Sequence, residues 1–185
     1  CVMREIGRLR EITFRLVGEG SGMPRDIDRF DRHYEQLVLW DDHDMEIVGA
    51  YRLLRGSVAR DNGGFYSADE YDLTPLMEQP IEQLLELGRS CVAAEYRRGA
   101  VMQLLWAGIA DYVAANNVGL LFGCASFPGS DPIAGAEALA YLYHEHLAPT
   151  ALRPRAVADR YVSMDLMPRA EIDGRMAPPT LGFRL

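Results

Sequence analysis

Four clusters of side chains hold the chemical content of this sequence. The first is Glu86-Leu-Gly-Arg89-Ser90, a carboxylate and a guanidinium three residues apart in an apolar run that reads as a strand. On a regular strand that spacing sends the two to opposite faces. They converge on one cleft only if the strand bulges, and Gly88 between them is where a bulge is expected; without one they form a strand-end ion pair. The second cluster is Asp26-Ile-Asp28-Arg-Phe-Asp31, a solvated turn unless its charge is put to use. The third is Arg52, which follows Gly49-Ala-Tyr51 and is a surface residue unless something anionic meets it. The fourth is Tyr96-Arg97-Arg98-Gly99-Ala100 at the start of a helical pattern. Free amides, the helix dipole and two guanidiniums there make a phosphate cradle, if the arginines are not simply solvated. His144 and His146 stand two apart on a helix and diverge, so no metal site is expected.

The elements that must position these groups follow from periodicity. Val2, Ile6, Leu9, Ile12 and Leu16 recur at helical spacing and predict a helix over 2–17, broken by Gly18, Gly20, Gly22 and Pro24. Leu37 to Trp40, the polar turn 41–44 and Ile47 to Tyr51 predict a β-hairpin, with 55–64 a loop. A strand is expected over 83–92, and a helix from Gly99 to about Asn116 with Leu105 and Ile109 on one side. Val118 to Phe122 reads as a buried strand. Asp131-Pro132 starts a helix running to about His146, and Tyr161 to Leu166 alternates as a last strand. The alternation of helices and strands predicts an α+β fold, a mixed central sheet flanked by helices.

With 185 residues, 49% hydrophobic and 25% charged, the chain has the composition of one globular domain, 1–185. It shows no apolar run near the ~20 residues of a membrane span and no signal peptide. A net charge of −8 argues against nucleic acid as a partner. All 19 cationic residues are arginine, which excludes Schiff-base chemistry and favours recognition of carboxylate or phosphate. The 3 cysteines lack CxxC spacing and read as buried thiols in a reducing, cytosolic compartment.

In order and spacing, Glu86-Leu-Gly-Arg-Ser-Cys-Val92, Tyr96-Arg97, Leu104-Leu-Trp106, Tyr112, Leu121-Phe-Gly-Cys-Ala-Ser-Phe127, His146-Leu-Ala-Pro149 and Arg153-Pro154 resemble the ornithine N-acyltransferases of lyso-ornithine lipid synthesis. These are a branch of the GNAT-like superfamily. Arg10, Phe14, Asp28, Asp31, Arg52, Glu86 and Arg89 also echo acyl-homoserine-lactone synthases. The resemblance implies a three-layer α/β/α GNAT-like fold with helices on both faces of the sheet. It also implies transfer of a (3-hydroxy)fatty acyl group from acyl carrier protein to the α-amine of ornithine or a similar small amino acid. A homoserine-lactone-type or other N-acyl amino acid synthase is the alternative, and a non-catalytic adaptor binding acyl carrier protein or lipid is a third reading.

Within that resemblance Glu86 takes the proton of the attacking amine, directly or through water. Backbone N–H groups at a bulge around Gly88 meet the oxyanion. Arg89 and Arg52 are candidates for the acceptor carboxylate. Arg10, Asp28 and Asp31 complete the substrate site, the aspartates holding a second ammonium. Arg97, Arg98, Gly99 and Ala100 take the donor phosphate. Phe14, Trp106, Phe122 and Phe127 line an acyl tunnel, or are plain core. Tyr96 stands three before Gly99, and Val101 stands where the pyrophosphate loop wants Gly or Ala. The single phosphate of a phosphopantetheine arm is therefore expected in preference to CoA, with no tightly bound cofactor. The family pattern has a strand before the first helix and more chain after Leu185, which leaves room for an incomplete sheet edge. The lipid product implies peripheral contact with the inner face of the membrane.

Overall fold

The computed structural model describes residues 2–97, 100–127, 129 and 131–172. Its elements in chain order are α1 (Val2–Arg15), β1 (Glu35–Asp41), β2 (Glu46–Arg55), α2 (Gly56–Asp61), β3 (Tyr71–Asp72), α3 (Thr74–Met77), β4 (Leu84–Val92), α4 (Val101–Ala115), β5 (Leu120–Phe122), α5 (Ala136–His146), β6 (Arg155–Ala156) and α6 (Arg169–Ile172). The chain packs as two compact units. One comprises Cys1–Asp69 with Met77–Pro128, the other Glu70–Leu76 with Gly129–Leu185.

The first unit is built on a mixed sheet in the order β1-β2-β4-β5. Its first two pairings are antiparallel, and β4 runs parallel to β5. Alternation along the strands gives the sheet two apolar faces. Ile6 and Leu9 of α1 pack with Ile47, Ala50 and Cys91 on one face, joined by Val38. On the other face Leu37 and Gly49 meet Gly108 and Leu105 of α4. Helices thus cover opposite faces, as the α+β reading requires. Gly7 lets the loop after α1 cross that helix closely. A Cβ there would stand 2.6 Å from Ile27 Cγ1, and Asp26 N donates to Gly7 O at 2.9 Å. This crossing delivers the acidic loop to the sheet.

In the second unit β3 and β6 form a short antiparallel ladder. The exposed hydroxyl and amide of Thr74 both donate to Asp72 Oδ1. Arg169 of α6 pairs with Glu145 of α5 at 2.8 Å.

Three sequence expectations are corrected. Residues 161–166 alternate but form no strand, and Tyr161 and Val162 face solvent. The Asp131 signal caps a turn, accepting from Ile133 N at 2.9 Å, and the helix starts only at Ala136. The segment 55–64 contains the helical turn α2 rather than only loop.

Candidate active site

The centre of the first unit is a bulge in β4. Gly88 lies opposite Arg52 and Cys91 opposite Ala50, so β4 spends one residue more than β2 over this stretch. The extra residue does not put Gly88 in a special conformation; Arg89 adopts the left-handed one, with φ +50°. That conformation costs a non-glycine residue about 1–2 kcal/mol, and its neighbours hold it. Gly88 stays in register, where a Cβ would lie 3.8 Å from Arg52 Nε. The bulge shifts the phase of the strand, so Glu86 and Arg89 reach the same neighbour. Tyr66 N donates to Glu86 Oε2 at 3.0 Å, and the Arg89 guanidinium lies 5.3 Å from the Tyr66 ring centroid.

Glu86 is 1% exposed and fully engaged. Its Oε2 accepts from the Tyr34 hydroxyl and from Tyr66 N, and its Oε1 from the Ser67 amide at 2.7 Å and the Ser67 hydroxyl. A buried carboxylate needs this degree of satisfaction. Burial first, then the Glu86 charge, pushes the Tyr34 hydroxyl well above its ordinary range, so it stays a donor. Ser67 Oγ also lies 3.3 Å from Cys124 Sγ, just past β5; Cys124 is exposed, against the expectation of a buried thiol. The pairing of β4 with β5 ends at Glu86 opposite Phe122.

Beside Glu86 lies a lattice of three arginines and three aspartates. Arg10 donates to Asp31 Oδ1 at 2.7 Å and to Gln36 at 2.6 Å. Arg52 Nη1 donates to both oxygens of Asp28, at 2.9 and 2.8 Å, and the guanidinium stacks on Tyr34 and Tyr66. Asp28 and Asp31 also cap the turn over Arg29–Arg32 reciprocally. Burial pushes the Asp28 carboxyl up, but the Arg52 hydrogen bonds and charge prevail and hold it below its usual value.

Of the residues expected at the substrate, the side chains of Arg10, Arg52 and Asp31 are buried and pair with one another, and the Nε atoms of both arginines have no hydrogen-bond partner among the described residues. Arg89 differs. Its side chain is 27% exposed, its ion pairs to Asp26 and Asp28 are long at 3.4 and 3.7 Å, and Phe14 lies beneath it. Asp26 is buried beside it, with no hydrogen bond to Oδ2 among the described residues. Burial raises the Asp26 carboxyl above its usual value, and Arg89 and Arg10 offset this only in part.

Further along β4, Thr13, Ser90, Cys91, Val92, Tyr96, Arg97 and Met102 line a cavity of about 350 Å³. That volume is in the range of small-molecule sites. Arg97 is fixed there by a 3.3 Å bond from Nε to Val92 O, and Ala100 caps α4. The hydroxyl of Tyr96 is tied to Asp41 and Asp44 of the hairpin turn. Burial pushes the Cys91 thiol up to about 11, which leaves it unreactive. Arg98 and Gly99 lie outside the described residues.

The four aromatic tunnel candidates have different neighbours among the described residues. Phe14 sits under Arg89, Phe122 packs edge-on to Phe65 at 4.8 Å, and Trp106 meets Tyr51 on the face covered by α4. Phe127 is 41% exposed beyond β5. His144 and His146 take separate partners, Met167 O and the Tyr141 ring.

Sequence reasoning missed Tyr34, Tyr66 and Ser67, and gave Asp26 no role. The signal available for the first three was the aromatic run Phe65-Tyr66-Ser67 after Gly63-Gly64, but nothing local ties it to Glu86.

A family model described as an acetyltransferase (GNAT) domain matches residues 9–107. The chain is 48% identical over 157 residues to an L-ornithine N(alpha)-acyltransferase of Rhodobacter capsulatus, covering 82% of this chain and 60% of that protein. It is 41% identical over 184 residues to the protein of the same description from Brucella abortus, covering 91% and 65%. A glycine N(alpha)-acyltransferase of Bacteroides thetaiotaomicron is 36% identical over 166 residues, covering 78% and 48%. The chain spans between about half and two thirds of the length of these curated relatives.

Proposed function

The chain belongs to the acetyltransferase (GNAT) domain family, and on that premise we propose that it transfers a fatty acyl group from a carrier-protein thioester to the α-amine of a small amino acid, with ornithine the first candidate. The observation that carries this reading is the bulge at Arg89. It brings a partly exposed guanidinium and the buried Glu86 carboxylate to the same neighbour, Tyr66, a few residues before a cavity lined by the same strand. The relatives described as ornithine and glycine N(alpha)-acyltransferases support the acceptor class.

In this reading the donor arm lies along Ser90 to Val92, with its phosphate at Arg97 and the start of α4. A single phosphodiester suits that mouth better than the CoA head, since Tyr96 and Val101 replace the residues of a pyrophosphate loop. The acceptor carboxylate meets Arg89, whose fork matches it. Glu86 takes the amine proton, and bulge amides meet the oxyanion, a contribution of about 3 kcal/mol in comparable sites. The product is an amphiphile, so we place its release at a lipid surface; among the described residues no helix is long and apolar enough to cross a membrane.

One observation favours a second acceptor. Asp28 and Asp31 are already held by arginines, which leaves Asp26 as the partner for a second ammonium. Without that partner the site reads only the α-amine and α-carboxylate, and glycine fits. Thiol release by the full-length protein, measured with a long-chain acyl carrier protein or acetyl-CoA and with ornithine or glycine, tests the proposal. Faster turnover with the acyl carrier protein is expected; faster turnover with acetyl-CoA overturns the donor assignment.

A further inference from the structure

We propose that Thr13 is a donor-binding residue, its hydroxyl meeting the secondary amide nearest the thioester on the phosphopantetheine arm. This rests on the arm lying along Ser90 to Val92, as the proposed function has it. Threonine inside a helix ordinarily turns its hydroxyl back onto a carbonyl one turn earlier. Thr13 does not. It is 9% exposed, and its hydroxyl makes no hydrogen bond among the described residues. Its oxygen is not sealed in the interior either. The side chain lines the cavity along β4, and that is where the hydroxyl can find a partner. A polar group buried to this degree without one is uncommon in a folded protein.

The other polar groups of the lining are committed or stand elsewhere along the arm. The Tyr96 hydroxyl is tied to Asp41 and Asp44. Arg97, fixed through Nε to Val92 O, stands at the phosphate end. The Cys91 thiol is a weak donor, and Met102 offers only a thioether. Ser90 carries the other uncommitted hydroxyl among the described lining residues, and it is tested beside Thr13.

Chain geometry selects the amide. The thioester lies at the bulge, and two carbons separate its sulfur from the first amide nitrogen, a reach of about 4 Å. A strand advances about 3.3 Å per residue, so that amide falls about one residue beyond Arg89, level with Ser90. Thr13 reaches this level from α1, since its neighbour Phe14 lies under the Arg89 guanidinium, with 5.6 Å to the ring centroid. The β4–β5 ladder ends at Glu86. Beyond it the open edge of β4 serves one side of the amide and leaves the other for a side chain. A hydroxyl answers either, accepting from the N–H or donating to the carbonyl. Methylenes alone at that level would leave the Thr13 hydroxyl buried with no partner.

The test uses the full-length protein and Thr13→Val, Thr13→Ser and Ser90→Ala, with two readouts. The first needs no turnover: the Kd of phosphopantetheine by titration calorimetry, beside a melting curve. Thr13→Val should bind it about three- to tenfold more weakly and melt no lower than the wild type, since it gives up a hydroxyl that no protein group uses. Thr13→Ser should bind as the wild type does. The second readout is kcat/KM with the octanoyl thioesters of N-acetylcysteamine, which keeps the amide, and of pentanethiol, which has the same length without it. Thr13→Val should lose about three- to tenfold with the first and show no comparable loss with the second. The arm is the same on acyl carrier protein and on CoA, so the ratio of kcat/KM for their octanoyl forms tells which one presents it. Unchanged phosphopantetheine affinity in Thr13→Val overturns the contact, and so do equal losses with both thioesters. An amide-selective loss in Ser90→Ala but not in Thr13→Val overturns the assignment to Thr13. Thr13-dependent binding by a protein that forms no N-acyl amino acid would instead remove the acyltransferase reading and leave the Thr13 contact standing.

Discussion

Replacing Arg89 by glycine and by alanine separates its two jobs, holding the bulge and binding the acceptor. At φ +50° alanine keeps the left-handed penalty of about 1–2 kcal/mol. Glycine escapes it and loses about 0.5–1 kcal/mol through greater freedom in the unfolded chain. The ion pairs with Asp26 and Asp28 are 3.4 and 3.7 Å long and partly exposed, worth at most about 1 kcal/mol, and both variants lose them equally. Arg89→Gly should therefore be at least as stable as Arg89→Ala, by up to about 1.5 kcal/mol, a Tm gap of up to about 6 °C for a chain of this size. Activity should not follow that order. Both variants lose a charged hydrogen bond to the acceptor carboxylate, worth about 1.5–3 kcal/mol, which lowers acceptor kcat/KM by about 10- to 100-fold. Thermal melts and steady-state kinetics on the same samples read both quantities. Arg89→Gly melting below Arg89→Ala would refute the strained bulge, and an unchanged acceptor KM in either would refute Arg89 as the carboxylate's partner.

Arg52→Ala should cost about 3 kcal/mol, because it removes a buried guanidinium that pairs with both Asp28 and the buried Asp31; chemical denaturation checks this, and a loss of activity without a loss of stability would assign Arg52 to the substrate. Glu11 accepts from Arg15, Ser21 and Gly22, which hold its carboxyl down to about 2. The stability this lends to the loop after α1 is therefore present above the ordinary value of 4.5 and lost as pH falls through about 2. Amide exchange at Ser21 and Gly22 should accelerate over that window in the wild type and be fast throughout in Glu11→Gln; pH-independent exchange would count against it.

The sequence carried the elements better than their contacts. The period of Val2, Ile6 and Leu9 and the alternation of the hairpin locate α1, β1 and β2, because amphipathic faces are local signals. The bulge was legible as a need, since Glu86 and Arg89 are out of phase on a straight strand. Its position was not. Glycine is the cheap residue to distort, but Gly88 stays in register opposite Arg52, where a Cβ would make an ordinary contact at 3.8 Å. The irregularity moves to Arg89, held by ion pairs and by the rings of Phe14 and Tyr66. Asp28 and Arg52 stand out in the sequence and meet in the structure, but a list of residues cannot tell a charge facing a ligand from one facing its partner. Tyr34 and Ser67 lie 52 and 19 residues from Glu86, and such pairings depend on how the loops fold back.

The central claim is amide formation at this site through Glu86. The direct measurement is mass spectrometry of the product formed by the full-length protein from a long-chain acyl carrier protein and ¹⁵N-labelled ornithine or glycine, alongside Glu86→Gln with its melting curve. The account predicts an N-acyl amide carrying ¹⁵N from the wild type. It predicts a fall in kcat of about 10²–10⁴-fold for a folded Glu86→Gln, smaller at high pH where the amine is already neutral. Thiol release without a labelled amide, or a folded Glu86→Gln that forms the amide at the wild-type rate, would contradict it.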